Sequence, residues 1–275
     1  MTRIDAHHHF WTFDPVCHAW IDESMHPLRR DFGPDNLAPL LQQHGIGGTV
    51  LVQVEQTEAE TRHFLDLAET YSFIQGVVGW VDLRAPDIER RLEVFAAYDK
   101  LKGFRHIVQS EPADFLLDPA FQRGIGHLDA FGFTYDLLVV PRHLPAAIRL
   151  VAAFPEQRFV LDHLAKPLMQ AQVMEPWAMQ IRELAAHPNV WCKISGLITE
   201  ADHTAWTPAD ITPYLDVAFN AFGTDRLLFG SDWPVCLLAG TYAQVVELVE
   251  TYLQGRPEEE RAAVFGQNAM AFYEL

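Results

Sequence analysis

Short runs of β-branched and aromatic residues alternate along this chain with longer stretches in which apolar side chains recur every three or four positions. The first pattern suits a strand buried on both faces, the second an amphipathic helix. Eight strand-like runs occur, at residues 3–8, 48–54, 75–81, 102–107, 133–139, 158–163, 190–195 and 226–230. Helical stretches lie between them at 35–44, 58–71, 88–98, 119–131, 144–154, 177–186, 211–222 and 242–253, with a closing one at 257–273. Their ends carry stop signals: Gly45, Gly132, Gly223 and Gly255 follow four of them, and Pro155 and Pro188 follow two more.

Strands alternating with helices in this way predict parallel βαβ units. Closure of eight such strands predicts an α/β fold of the (β/α)8 TIM-barrel class, one domain over residues 1–275. The rival is an open doubly wound sheet. It calls for a glycine-rich turn after the first strand, but that strand runs into His8-His9-Phe10-Trp11.

A barrel places its chemistry at the C-terminal ends of its strands, and several strands here turn polar at that end. Alternation along the first strand sends His7 and His9 to one face and His8 to the other. The sixth is apolar until Asp162-His163, the eighth runs through Phe229-Gly230-Ser231 to Asp232, the fourth ends Arg105-His106, and the seventh carries Lys193 and Ser195 on one face. Each has a plainer reading: a hydrogen-bonded structural histidine, a capping aspartate, an ion-paired arginine. Together, His7, His9, His163 and Asp232 point to a shared catalytic site. The histidines at 18, 26, 44, 63, 127, 143, 187 and 203 fall in helices or loops and read mostly as surface residues.

Five segments resemble the amidohydrolase superfamily, in particular its sugar-lactonase branch. They are Ile4-Asp5-Ala6-His7-His8-His9-Phe10-Trp11, Gly103-Phe104-Arg105-His106, Leu161-Asp162-His163-Leu164-Ala165-Lys166-Pro167, Lys193-Ile194-Ser195-Gly196-Leu197 and Phe229-Gly230-Ser231-Asp232-Trp233-Pro234. The resemblance implies an amidohydrolase-like barrel in which water attacks a cyclic ester, with L-fucono- or L-rhamnono-lactone as the suggested substrate. His7 and His9 match the branch's first-strand pair, His163 its sixth-strand histidine, Asp232 its eighth-strand aspartate, and Arg105 an arginine that faces substrate.

Under that reading Asp232 takes a proton from water and returns it to the ring oxygen, while His7, His9, His163 and Arg105 polarise the carbonyl. No Gly-x-Ser-x-Gly elbow occurs, in keeping with direct water attack. His106, Lys193, Ser195, Gln53 and Glu55 are candidates to bind the sugar hydroxyls, and Trp11 or Trp233 to lie against the ring. Lys193 as a neutraliser of a neighbouring carboxylate, and both tryptophans as packing, are the alternatives. For the cofactor, two outcomes stay open: none, or a single zinc on His7, His9 and Asp232. A two-metal centre is disfavoured, because the fourth strand offers Arg105 where a bridging anion belongs. The rival activity is a zinc-dependent decarboxylase of an aromatic or unsaturated acid.

Composition narrows the partners. With 37 acidic against 20 basic residues, a formal charge of −17 disfavours nucleic acid and anionic membranes. Among 49% hydrophobic residues there is no run of about 18 that would span a bilayer. The N-terminus lacks the features of a signal peptide, so the cytoplasm is expected. Cys17, Cys192 and Cys236 are too few and too scattered for a disulfide framework and read as reduced, mostly packed thiols. A homo-oligomer is compatible with Phe10, Trp20 and Trp206, which suit an interface or a lid.

Overall fold

The structure is a computed structural model and describes residues 2–275. Eight parallel strands form one sheet in sequential order: β1 (Arg3–His8), β2 (Ile46–Val52), β3 (Ile74–Gly79), β4 (Leu101–Ile107), β5 (Thr134–Leu138), β6 (Phe159–Leu161), β7 (Val190–Ile194) and β8 (Leu227–Phe229). The sheet closes beyond the last strand. His8 pairs with Trp233, the His9 amide donates to the Trp233 carbonyl at 2.7 Å, and the Asp232 amide donates to the His7 carbonyl at 2.8 Å. The seam of the barrel therefore joins the two segments expected to carry chemistry.

Helices α1 (Pro34–Gln43), α2 (Glu58–Thr70), α3 (Ile88–Phe95), α4 (Pro119–Leu128), α5 (Leu144–Ala153), α6 (Trp177–Ala185), α7 (Pro208–Phe222) and α8 (Tyr242–Tyr252) cover the outside. The expected closing helix is divided into α9 (Glu258–Ala262), a π-helical turn (Ala263–Gln267) and α10 (Asn268–Tyr273). Strand six ends at Leu161 rather than 163, because Asp162 and His163 turn away from the sheet. Among the described residues no helix is long and apolar enough to cross a membrane.

One buried cluster lies between strands and helices; the other fills the barrel's lower interior. The inner one comprises Ile4, Ala6, Val50, Val52, Val78, Val160 and Leu228, closed from below by Ala269, Phe272 and Tyr273 of α10. Above this apolar layer the interior turns polar. Cys192 and Cys236 are packed as expected, whereas Cys17 is exposed. Two histidines expected at the surface are buried. His18 lies against the Trp11 and Phe13 rings, and His143 Nε2 sits 3.0 Å from the Glu111 carbonyl. A loop histidine becomes internal when neighbouring loops fold over it, which local periodicity does not register.

Candidate active site

His7, His9, His163 and Asp232 meet at the C-terminal mouth of the barrel. His7 Nε2 lies 3.1 Å from His9 Nε2, and Asp232 Oδ1 is 3.8 Å from His7 Nε2, 3.4 Å from His9 Nε2 and 3.9 Å from His163 Nε2. Two glycines permit this approach. A Cβ at Gly230 would come within 2.7 Å of His7 Cβ, and one at Gly196, whose φ is +62°, within 2.7 Å of His163 Nδ1.

The backbone that carries these groups is strained. Asp232 has a φ of 55°, and His163, Leu164, Ala165 and Lys166 form an unbroken left-handed turn with φ between 51° and 60°. Left-handed backbone costs a non-glycine residue roughly 1–2 kcal/mol, and runs of it are rare. The turn is held by the Trp177 indole N–H, which donates to the Leu164 carbonyl at 2.7 Å, and by the Lys166 amide on the His163 carbonyl at 2.7 Å. Ser195 Oγ, 2.9 Å from His163 Nδ1, orients the imidazole.

A buried charge network supports the cluster from below. Lys193 Nζ lies 2.5 Å from Asp136, 3.1 Å from Asp162 and 3.1 Å from His7 Nδ1. The Tyr273 hydroxyl reaches Asp136 from α10. Arg105 donates through Nη1 to Asp162 at 3.0 Å, through Nε and Nη2 to the Gln53 side chain, and through Nη2 to the Gln53 carbonyl; Nη1 also faces His7 Nε2 at 3.2 Å. Its whole fork is engaged by protein.

These surroundings set the protonation states. Burial drives His7 and His9 below the ordinary histidine range and His163 down to about 4, so the imidazoles are neutral at pH 7. Burial also opposes charge on Asp232, but His163, His9 and Lys166 outweigh it and hold the carboxyl below its usual range. Because His163 is itself neutral at pH 7, the persistent contributions are the His9 hydrogen bond and the Lys166 charge. Asp162, despite burial, stays ionised beside Lys193, His7 and Arg105. Burial pushes Asp136 up to about 6, against the pull of Lys193. The site thus pairs an ionised carboxylate with neutral imidazoles, a combination suited to activating water.

The cluster opens into a cavity of about 320 Å³ walled by Trp11, Trp20, Gln56, Gln109, Ser110 and Lys166. A larger cavity of about 490 Å³ shares the Trp11 wall and is lined by Glu55, Glu60, His18 and His63, but holds none of the four converging residues.

An amidohydrolase family model matches residues 4–275. The chain belongs to the amidohydrolase family. An L-fucono-1,5-lactonase of Burkholderia multivorans is 42% identical over 286 residues, covering 99% of this chain and 96% of that one. One of Burkholderia ambifaria is 39% identical with the same coverage. A solved amidohydrolase of Burkholderia multivorans with bound zinc superimposes with a TM-score of 0.97 at 41% identity, over the full length of both chains.

Within this amidohydrolase the remaining expected residues are placed unevenly. Arg105 and Trp11 line the cavity. Gln53 and Ser195 are buried beside it and hold Arg105 and His163. Lys193 lies beneath the site as a counter-ion, with no exposed surface from which to grip a sugar. His106 faces outward: it accepts the Trp80 indole N–H, pairs with Glu111 and stacks on Phe115, because the residue after an inward Arg105 must point away. Trp233 packs between Phe10 and Phe32, and Glu55 lines the neighbouring cavity near His18. Of the aromatics considered for a lid, Trp20 stands at the rim, 44% exposed, and Phe10 is buried.

The buried carboxylate Asp136 and the cavity residues Gln56, Gln109 and Ser110 were not singled out from the chain, and Asp162 and Lys166 entered only as members of the sixth-strand segment, without a role. Asp136 did leave a trace, a lone charge amid the apolar run Phe133–139 of strand five. Gln56, Gln109 and Ser110 left none.

Proposed function

We propose that this amidohydrolase hydrolyses a sugar lactone, with L-fucono-1,5-lactone or a similar aldonolactone as substrate, and that it does so in the cytoplasm, where thiols such as Cys17, Cys192 and Cys236 stay reduced. The observation that carries the reading is the ionised Asp232 among three neutral imidazoles on the floor of a cavity sized for one small ring. Full-length similarity to two L-fucono-1,5-lactonases supports it. For the alternative, decarboxylation, the full-length matches are solved dihydroxybenzoate decarboxylases only 14–15% identical, a likeness that supports the fold and not the activity.

In the proposed reaction, Asp232 accepts a proton from water as the water oxygen bonds to the lactone carbonyl carbon. The carbonyl π pair moves onto its oxygen. Collapse of that adduct breaks the bond from carbon to ring oxygen, and the proton held by Asp232 passes to the departing ring oxygen. The products are a hydroxyl and a carboxylic acid on one chain, the acid then losing its proton to solvent at neutral pH, so no covalent enzyme intermediate is needed. His163, oriented by Ser195, and the sugar-facing Gln56, Gln109 and Ser110 place the ring.

The donor set also fits one divalent ion. His7 Nε2, His9 Nε2 and Asp232 Oδ1 converge, and the His9 Nδ1–H is directed to the Val52 carbonyl at 2.8 Å, which leaves Nε2 free to coordinate. Such an ion would act as a Lewis acid on the carbonyl and lower the pKa of water. The Arg105 guanidinium lies 3.2 Å from His7 Nε2, and its charge opposes a second cation beside the first. A hydrolysis screen over aldonolactones, run with and without chelator and with metal analysis, tests the proposal. Turnover of L-fucono-1,5-lactone or a close stereoisomer is expected; inactivity of metal-replete enzyme across the panel refutes it.

A further inference from the structure

The lactone reading leaves one requirement open: the oxygens that turn negative must meet a positive group with hydrogens to give. The site's floor supplies few. The hydrogen on His9 Nδ1 is spent on Val52, and His7 Nδ1 lies against Lys193 and Asp162. Arg105 lines the cavity, but its donors already serve Gln53, Asp162 and His7. To reach a substrate oxygen it would have to release a buried partner.

Lys166 is differently placed. It lines the cavity beside His163 and Asp232, and within 4 Å its ammonium makes a single ion pair among the described residues, with Glu200 Oε1 at 3.4 Å. That long contact leaves hydrogens free on a group with three. The left-handed turn of residues 163–166 brings both His163 and Lys166 to the cavity, so the strained backbone serves two side chains.

Resting on the lactone reading, we propose that Lys166 is a further catalytic residue: its ammonium, rather than the Arg105 guanidinium, meets the oxygen charge that develops as the ring opens and then holds the new carboxylate. Glu200 is the lysine's tether, not a participant.

Three variants separate this from a structural role. Lys166→Met keeps the Cβ and the chain length, so the turn carries the same backbone cost. Its kcat on L-fucono-1,5-lactone should fall about 100-fold or more, the usual loss when one oxyanion donor is removed, with a smaller change in KM and an unchanged unfolding midpoint. Lys166→Arg should recover at least about tenfold of that loss, because the charge returns. Glu200→Gln should retain kcat within about threefold. Calorimetric binding of L-fuconate should weaken about tenfold or more in Lys166→Met, a readout that needs no turnover. Three outcomes overturn the proposal: Lys166→Met within threefold of wild type in kcat, equal L-fuconate affinity in wild type and Lys166→Met, or Glu200→Gln losing as much activity as Lys166→Met. A wild-type enzyme that hydrolyses no aldonolactone removes the lactone reading instead, and that arm is scored on wild type alone.

Discussion

Replacing Lys193 with methionine removes a cation that has no solvent exposure and two carboxylate neighbours, at 2.5 Å and 3.1 Å. Breaking a buried pair by deleting one partner costs about 3–5 kcal/mol, because the remaining charge stays desolvated. The two aspartates do not suffer alike. Asp162 keeps Arg105 at 3.0 Å and remains charged. Asp136, already pushed up to about 6 with the lysine in place, rises further and takes up a proton near neutrality. That protonation limits the damage and places the expected loss near the lower bound, about 3 kcal/mol at pH 7. For a chain of this size the midpoint should drop by roughly 6–12 °C.

The same reasoning fixes the sign with pH. A carboxyl whose folded pKa exceeds its unfolded one binds its proton more tightly when folded, so stability falls as pH rises toward the folded value. In wild type the Asp136 contribution falls between about 3.8 and about 6. In the variant the fall extends above 6, and the deficit relative to wild type should widen from pH 6 to 8. Urea unfolding at pH 5, 6, 7 and 8 measures it. A loss below about 1 kcal/mol at pH 7, or a deficit that narrows with rising pH, refutes the network as described. Restoration of stability in Lys193→Met/Asp136→Asn would support it, since that pair of changes deletes both opposing charges.

Other outcomes follow from the same geometry. Asp232→Asn should lower kcat/KM on the lactone at least about a thousandfold, through loss of the proton acceptor, while retaining the fold; steady-state kinetics with circular dichroism checks it, and near-normal turnover excludes Asp232 as the base. Ser195→Ala should lower kcat about tenfold by freeing the His163 ring, with little change in unfolding midpoint. Burial raises Glu60 to about 8, so wild-type stability should fall between pH 4.5 and 8 as that carboxyl is forced to ionise. Glu60→Gln should flatten this slope, gaining about 1–3 kcal/mol on wild type by pH 8.5 after allowance for its partial exposure. Parallel slopes for the two proteins would remove Glu60 from the account.

Periodicity alone was enough to count the strands, order them and indicate closure, because in a parallel barrel each strand is buried on both faces and each helix on one. Parity along β1 likewise separated His7 and His9 from His8, whose Nε2 meets Thr49 instead. Polar strand ends marked His163 and Asp232 because an ionisable group closing an apolar run needs a compensating environment. What no local pattern carried was which partner supplies that environment. Arg105 reads identically whether it waits for a substrate or is consumed by Gln53 and Asp162, and only the distances between strands two, four and six distinguish the cases. The two lysines are sorted for the same reason: Lys193, open to either sugar binding or charge neutralisation in the sequence, is drawn under the site between two aspartates, and Lys166 is lifted to the cavity by a left-handed turn. Alternation and burial are properties of neighbours in the chain and survive in its order. Charge pairing depends on groups tens to hundreds of residues apart, and comes into being when the barrel closes.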